Sequence, residues 1–438
     1  MTRDRRPHGG TGALLRRRHA LLGTGAPLFY ERPLHIVRGE GVWLYDAHGE
    51  RYLDAYNNVP HVGHCHPKVV EAIARQAATL NTHTRYLHAG IVEYGERLVA
   101  TFDAPLEMVV FACTGSEAND LALQLARFAT GHAGFIVTDF SYHGNTTAVR
   151  AVSSASTALE PRSSAVRTVP VPDPYRPPAG LAGADLADAC VRRVQEAVDA
   201  LHADGLGVAG ILLDTIFSGE GLPQVPAGFV ERAVGIVRAA GGLYIADEVQ
   251  PGFGRMGDHF WGYRAHGVVP DVVTLGKPMG NGHPISAVIA RRELLEPFGE
   301  ARHYFNTFAG NPVSCAAANA VLDVLEEENL VARARETGEY LLEGLAALRE
   351  RHRLVGDVRG RGLFIGVELV SDRGTREPAT AQARNVINAM RERRVLIGET
   401  GRHENVLKLR PPLPFAREHA DLLLAALDDC LGEAETPA

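Results

Sequence analysis

The chain has 438 residues, 45% of them hydrophobic and 22% charged, and its formal net charge is −7. This is the balance of a folded protein of two or three structural units, and it excludes dominant disorder. Negative net charge argues against nucleic acid as a partner, and apolar runs broken well short of about 18 residues argue against a membrane span.

In chain order, residues 1–27 read as a basic N-terminal tail leading into a helix. Arg3, Arg5, Arg6, Arg16, Arg17 and Arg18 give this stretch a superficial likeness to an organelle transit segment, but Gly23, Gly25 and Pro27 interrupt any apolar core. Residues 28–75 open a small domain, with strand-like alternation at 42–45 and 51–54 around a His48-Gly49 turn, as in a hairpin. Residues 76–312 form the large domain. Here short apolar runs (108–113, 134–138, 208–213, 243–246, 272–275, 285–289) alternate with amphipathic stretches such as 119–130 and 229–239. Near-continuous apolar runs suit strands buried on both faces of a mainly parallel sheet, so the class is α/β. The Pro/Ala/Gly stretch 170–183 reads as a surface loop. Residues 313–438 carry predicted helices at 313–327, 330–351, 379–393 and 417–431 with a strand at 363–369. The two chain ends together are expected to make a smaller α+β domain. Five scattered cysteines (Cys65, Cys113, Cys190, Cys315, Cys430), with no CxxC pair, fit a reducing, cytoplasmic setting.

Three features of the large domain could carry chemistry. Thr114-Gly115-Ser116-Glu117-Ala118-Asn119 follows a predicted strand and opens a predicted helix. Free backbone N–H groups and the positive end of the helix dipole make such a junction either a phosphate seat or a plain capped helix start. It is no nucleotide P-loop, because the one Gly-Lys pair, Gly276-Lys277, has Asp271 where that motif needs its first Gly, and Pro278 follows. Asp247 and Glu248 end an apolar strand at the carboxyl edge, where ligands gather in open α/β sheets. A carboxylate there can hold a metal, act as a base, pair with a cationic ring nitrogen or cap the strand. Lys277 follows the strand 272–275; partly desolvated there, its pKa would fall, which suits Schiff-base chemistry. In this order the three match what pyridoxal phosphate requires: donors for its phosphate, an acid for its ring nitrogen and a lysine for its aldehyde.

With those residues in view, the sequence resembles the class III (ornithine/ω-amino) aminotransferases of pyridoxal phosphate fold type I, the aspartate-aminotransferase-like fold. The likeness runs from about residue 28 to 431. It is carried by Asn58-Val59-Pro60-His61-Val62-Gly63-His64-Cys65-His66-Pro67, Gly115-Ser116-Glu117-Ala118, Tyr142-His143-Gly144 and Asp247-Glu248-Val249-Gln250. Gly276-Lys277, Phe305-Asn306-Thr307-Phe308-Ala309-Gly310-Asn311-Pro312 and Gly360-Arg361-Gly362-Leu363 complete it. The resemblance implies that Lys277 forms the Schiff base and shuttles the proton. It implies that Asp247 pairs with the ring nitrogen, that Val249 and Tyr142 cover the two ring faces, and that Gly115 and Ser116 hold the phosphate. His143 and Gln250 belong to the same implied cofactor set. Thr307 is implied to reach the phosphate in the neighbouring subunit, so a homodimer is expected. The implied function is transfer of an amino group from an amine or amino acid to an oxo acid or aldehyde.

Two departures bear on substrate. The family usually carries Glu where Asp214 stands, a shorter acid that would leave a wider pocket. Many members that handle α-amino acids have Arg where Lys408 stands in Leu407-Lys408-Leu409-Arg410-Pro411-Pro412. Lysine is a point charge and cannot clasp a carboxylate through a two-pronged fork. Lys408, with the stretches 61–67 and 80–88, is most similar to the phospholyase branch, whose members eliminate phosphate from O-phosphoethanolamine or phosphohydroxylysine. That elimination is the alternative function, with Arg85, Asp214, Lys408 and Arg410 as candidate substrate residues. His61, His64, His66, His83 and His88 make a tempting metal cluster, but the resemblance places them in loops at the pocket mouth, and no metal is expected. Gly360-Arg361-Gly362 is no dinucleotide fingerprint, since Gly366 stands out of register for its third glycine.

Overall fold

The computed structural model describes residues 10–155, 163–178 and 185–436. Of the N-terminal arginines, Arg3, Arg5 and Arg6 lie outside that range, while Arg16 to Arg18 fall in a helix, Thr11–Leu22, that has no buried residue.

The chain ends build two small sheets. Strands β1 (Ile36–Glu40), β2 (Trp43–Asp46) and β3 (Arg51–Asp54) form an antiparallel meander. The turn before β3 uses Gly49 at φ +87°, a backbone that side chains resist. The large sheet is made of β4 (Met108–Ala112), β5 (Gly134–Thr138), β6 (Val166–Val169), β7 (Val208–Asp214), β8 (Leu243–Asp247), β9 (Val272–Leu275) and β10 (Ser286–Ala290). Then come β11 (Val355–Arg361), β12 (Phe364–Asp372), β13 (Glu377–Pro378), β14 (Val395–Leu396), β15 (Gly398–Thr400) and β16 (Val406–Leu409). The short β14 runs parallel to β3, Val395 beside Leu53 and Leu396 beside Asp54, so the two ends of the chain share one sheet. The remaining C-terminal strands form an antiparallel sheet in the order β11-β12-β16-β15.

The large sheet has the order β4-β10-β9-β8-β7-β5-β6, and only β10 runs against its neighbours. Every residue of β5, β7, β8, β9 and β10 is buried. Alternation along the strands explains how. Ile211, Leu213, Tyr244 and Ala246 join a core built with the helices Leu186–Ala203 and Phe229–Ala239. Ala209, Leu212, Leu243 and Ile245 join one built with the helices Gly115–Thr130 and Arg292–Arg302. Side chains of period two thus feed two helical layers, which is why the sequence shows unbroken apolar runs there.

The helices Phe229–Ala239 and Leu330–Arg351 and the strand β9 have the bounds that their periodicity predicts. The sequence reading lacks the helices Pro67–Thr79, Ala89–Val99 and Leu186–Ala203. No described helix is long and apolar enough to cross a membrane.

Candidate active site

Parallel pairing sets Asp214, at the end of β7, beside Asp247, at the end of β8, and Asp247 beside Thr274 of β9. Lys277 follows two residues after β9, on the same carboxyl edge. Asp247 is buried and both its oxygens are engaged: Oδ2 accepts from Asn119 Nδ2 (3.0 Å) and His143 Nδ1 (2.8 Å), and Oδ1 from the Val249 amide (3.1 Å), which leaves Oδ1 room for one more donor. His143 Nε2 is buried with no hydrogen-bond partner among the described residues. Burial, and after it the charge of Arg410, pushes the Lys277 amine down from its usual range, against the opposing pull of Asp247 and Asp214.

The helix Gly115–Thr130 starts with a capping box: Thr114 Oγ1 accepts from the Glu117 amide, and Glu117 Oε2 accepts from the amides of Thr114 (3.2 Å) and Cys113 (2.7 Å). This leaves the amides of Gly115 and Ser116 without an acceptor among the described residues, at the positive end of the helix. Ser116 Oγ accepts from the Asn145 amide (3.2 Å). Gly144 is required beside it, since at φ +143° an added Cβ would lie 2.6 Å from Ser116 Oγ. The seat adjoins the lysine: an added Cβ on Gly276 would lie 3.2 Å from Val249 Cγ1 and 3.4 Å from Gly115 Cα. Val249 is buried, whereas Tyr142 is exposed.

A second charged group lies on β16 and just past it. Lys408 is 7% exposed and Arg410 8%, and alternation along the strand puts them on one face. Arg410 Nε donates to the Tyr56 carbonyl (3.1 Å), its guanidinium lies 4.5 Å over the Tyr56 ring, and Nη1 donates to Gln250 Oε1. Gln250 Nε2 donates to Ser218 Oγ (2.7 Å), and Ser218 donates its hydroxyl to Asp214. Gln250 therefore joins the cation to the acid of β7. The Lys408 ammonium lies 5.5 Å from the Phe364 ring centre and has no hydrogen bond or ion pair among the described residues. Burial, then Arg410, holds its pKa well below normal. Burial first and Asp247 second raise that of Asp214. Glu220, which accepts from the Thr138 hydroxyl, is pushed up to about 7 by burial and then by Asp214.

Other candidates lie elsewhere. Arg85 is exposed, its guanidinium 3.9 Å over the Phe305 ring, and no residue of the Asp247 network bonds to it. Thr307 is exposed as well. The histidines face separate partners: His64 Nε2 meets Asp54 (2.7 Å), His66 Nε2 meets Glu328 (2.9 Å), and His83 stacks on Tyr86. His61 corrects the reading of a pocket-mouth loop: it is fully buried, Nε2 2.7 Å from the Phe253 carbonyl and Nδ1 3.2 Å from Arg255. Sequence reasoning misses Asn119, Thr274, Ser218, Tyr56 and Glu220. Only Asn119 leaves a trace, as an amide on the inner face of an apolar helix.

The donor set fits pyridoxal phosphate: two free amides and a hydroxyl for the phosphate, a triply held carboxylate for the ring nitrogen, and a half-buried amine beside both. Fold and site together define a pyridoxal-phosphate enzyme of fold type I. Residues 29–431 match the family described as aminotransferase class III, and the chain belongs to that family. A phospholyase from Arthrobacter, solved in complex with phosphoethanolamine, is 50% identical over 97% of this chain and 100% of its own, with a TM-score of 0.93. An amine transaminase from an uncultivated Pseudomonas species, solved in its PLP-bound form, is 30% identical over 99% of both chains, with a TM-score of 0.85. An alanine–glyoxylate aminotransferase 2-like protein of Drosophila melanogaster is 43% identical, over 95% of this chain and 86% of that protein.

Proposed function

We propose that this chain is a phospholyase that eliminates phosphate from a small phosphoamine such as O-phosphoethanolamine. The observation that carries the reading is the pair of buried basic side chains, Lys408 and Arg410, which no carboxylate among the described residues pairs with directly, whose pKa values burial lowers, and which lie within the electrostatic reach of Lys277. The nearby acids, Asp214 and Glu220, are both shifted toward their neutral forms. Uncompensated buried charge is costly. A phosphate dianion pairs with both groups in their protonated forms and so restores the charge that burial disfavours, whereas a single carboxylate balances only one. The 50% identity to a phospholyase, against 30% to a transaminase of equal coverage, supports the same choice.

Gly115 and Ser116 would hold the cofactor phosphate, Asp247 the ring nitrogen, and Val249 and Tyr142 the two ring faces. Bound there, pyridoxal phosphate supplies the electron sink that makes the carbon bearing the substrate amine acidic. Lys277 Nζ, its basicity lowered by burial, takes the proton from that carbon. Lys408 and Arg410 hold the substrate phosphate as the carbon–oxygen bond breaks and its electron pair leaves with the phosphate. Water completes conversion to aldehyde and ammonia.

Amino transfer to an oxo acid or aldehyde is the second reading. It is favoured by the family and by the Drosophila relative, and it shares the first proton transfer. The two part on one experiment. With phosphoethanolamine and no oxo acid, elimination gives many turnovers of phosphate and ammonia; amino transfer gives one stoichiometric conversion of the cofactor to its amine form, and that result would reject the phospholyase. We also read the active unit as a homodimer. Tyr86, Leu87, Phe305 and Phe308 are exposed beside the exposed Thr307, an apolar surface that suits a second copy. Light scattering at twice the chain mass, and loosened cofactor binding in Thr307→Ala, are the expected results.

A further inference from the structure

Asn119 is 1% exposed, in the second turn of the helix whose first turn forms the phosphate seat. A primary amide has two N–H donors and one carbonyl acceptor. Here both donors are used, Nδ2 giving to the His143 carbonyl (2.7 Å) and to Asp247 Oδ2 (3.0 Å), while Oδ1 accepts from the Thr274 hydroxyl (2.7 Å). Thr274 is fully buried and is the register neighbour of Asp247, so both side chains leave the sheet on the face that the helix covers. The pattern fixes which way the amide lies. Turned over, it would set its oxygen against the His143 carbonyl and the Asp247 carboxylate, two acceptors, and its NH2 against the Thr274 hydroxyl. The two acceptors, the His143 carbonyl and the Asp247 carboxylate, thus decide that a donor meets Asp247, and the Thr274 hydroxyl, which can donate or accept, donates to the oxygen left over and braces the amide from behind.

We propose that Asn119 and Thr274 are a positioning pair for the ring-nitrogen contact: Thr274 braces the amide, and the amide, by holding Asp247 Oδ2, fixes the carboxylate in the orientation in which it would meet the nitrogen of the bound cofactor. The pair ties the phosphate seat and the acid into one rigid unit, since the helix that ends in the seat also carries Asn119. The inference rests on the cofactor assignment and is independent of whether elimination or amino transfer follows.

The test compares binding of two ligands to the apoenzyme: pyridoxal phosphate, and its 1-deaza analogue, in which the ring nitrogen is replaced by CH. Thr274→Val keeps the shape and removes the hydroxyl. It should weaken pyridoxal phosphate by up to about tenfold relative to the unaltered chain, the loss expected for one buried hydrogen bond between neutral groups. Its effect on the deaza analogue should stay below about twofold, because that ligand has no nitrogen for Asp247 to meet. Thr274→Ser should restore binding. Asn119→Asp, which sets a second carboxylate against Oδ2, should weaken pyridoxal phosphate more, on the order of 100-fold. The 15N resonance of ring-labelled cofactor should move toward the unprotonated value in both weakened variants. Equal losses for the two ligands, no loss for either, or no rescue by serine would overturn the proposal. Absence of binding by either ligand to the unaltered chain would instead refute the cofactor assignment. Should Asn119→Asp fail to fold, the two Thr274 variants decide alone.

Discussion

Two clusters of buried charge meet at the carboxyl edge of the large sheet, one on that edge and one brought to it by β16 of the C-terminal sheet, and they are completed to different degrees. Around Asp247, both carboxylate oxygens are engaged by Asn119, His143 and Val249, and Thr274 fixes the amide behind them. Around Lys408 and Arg410, the guanidinium is braced by Tyr56 and Gln250, both uncharged, and the Lys408 amine, 5.5 Å from the Phe364 ring centre, has no hydrogen bond or ion pair among the described residues. A saturated network holds a group still, whereas an unsaturated one is stabilised by what binds. The contrast fits the proposal that the first cluster holds geometry and the second receives substrate.

Substitutions can break the contrast from either side. Lys277→Ala should cost the most, about 10^4-fold or more in turnover, because it removes both the amine that bonds the cofactor and the proton carrier. Asp247→Asn keeps the shape and deletes the charge, and a loss of roughly 10²- to 10³-fold is expected, read from single-turnover rates. In the second cluster, Lys408→Met should raise KM for a phosphoamine by about 10- to 100-fold while sparing the cofactor spectrum. An equal loss for an uncharged amine would remove the distinction between the clusters.

A pH effect sharpens it. The Glu220 carboxyl stands at about 7 in the folded chain, against an ordinary value of 4.5, so the folded chain keeps a proton that the unfolded one releases. Its contribution to stability therefore falls as pH rises from 4.5 to about 7. Glu220→Gln should raise the melting temperature at pH 8 more than at pH 5, by a few degrees at most. The smallest effect belongs to the seat: Thr114→Ala, which removes one half of the capping box, should cost about 1 kcal/mol in denaturant unfolding.

The residues proposed to hold the cofactor could be picked out because each stands next to a local signal. Asp247 and Lys277 end or follow apolar strands, and Gly115-Ser116 joins a strand to a helix. The parallel sheet was legible for the same reason, its buried strands leaving unbroken apolar runs. What could not be read is what distant segments make together. Thr274 looks like any strand threonine until Asn119, 155 positions earlier, lies against it. The reversed direction of β10 and the pairing of β14 with β3 are set by packing and leave no pattern in their own few residues. His61 sat in a motif that suggested a pocket mouth, and the carbonyl of Phe253 and the guanidinium of Arg255 took it into the core.

The sequence contains three lysines, Lys68, Lys277 and Lys408, which makes the central claim simple to test. Lys68 is exposed and paired with Glu327, Lys277 is half-buried, and Lys408 is buried. Borohydride reduction of the cofactor-loaded enzyme, followed by peptide mapping, should place one pyridoxyl group per chain, on Lys277. A label on Lys408 or Lys68, or none at all, would contradict the account.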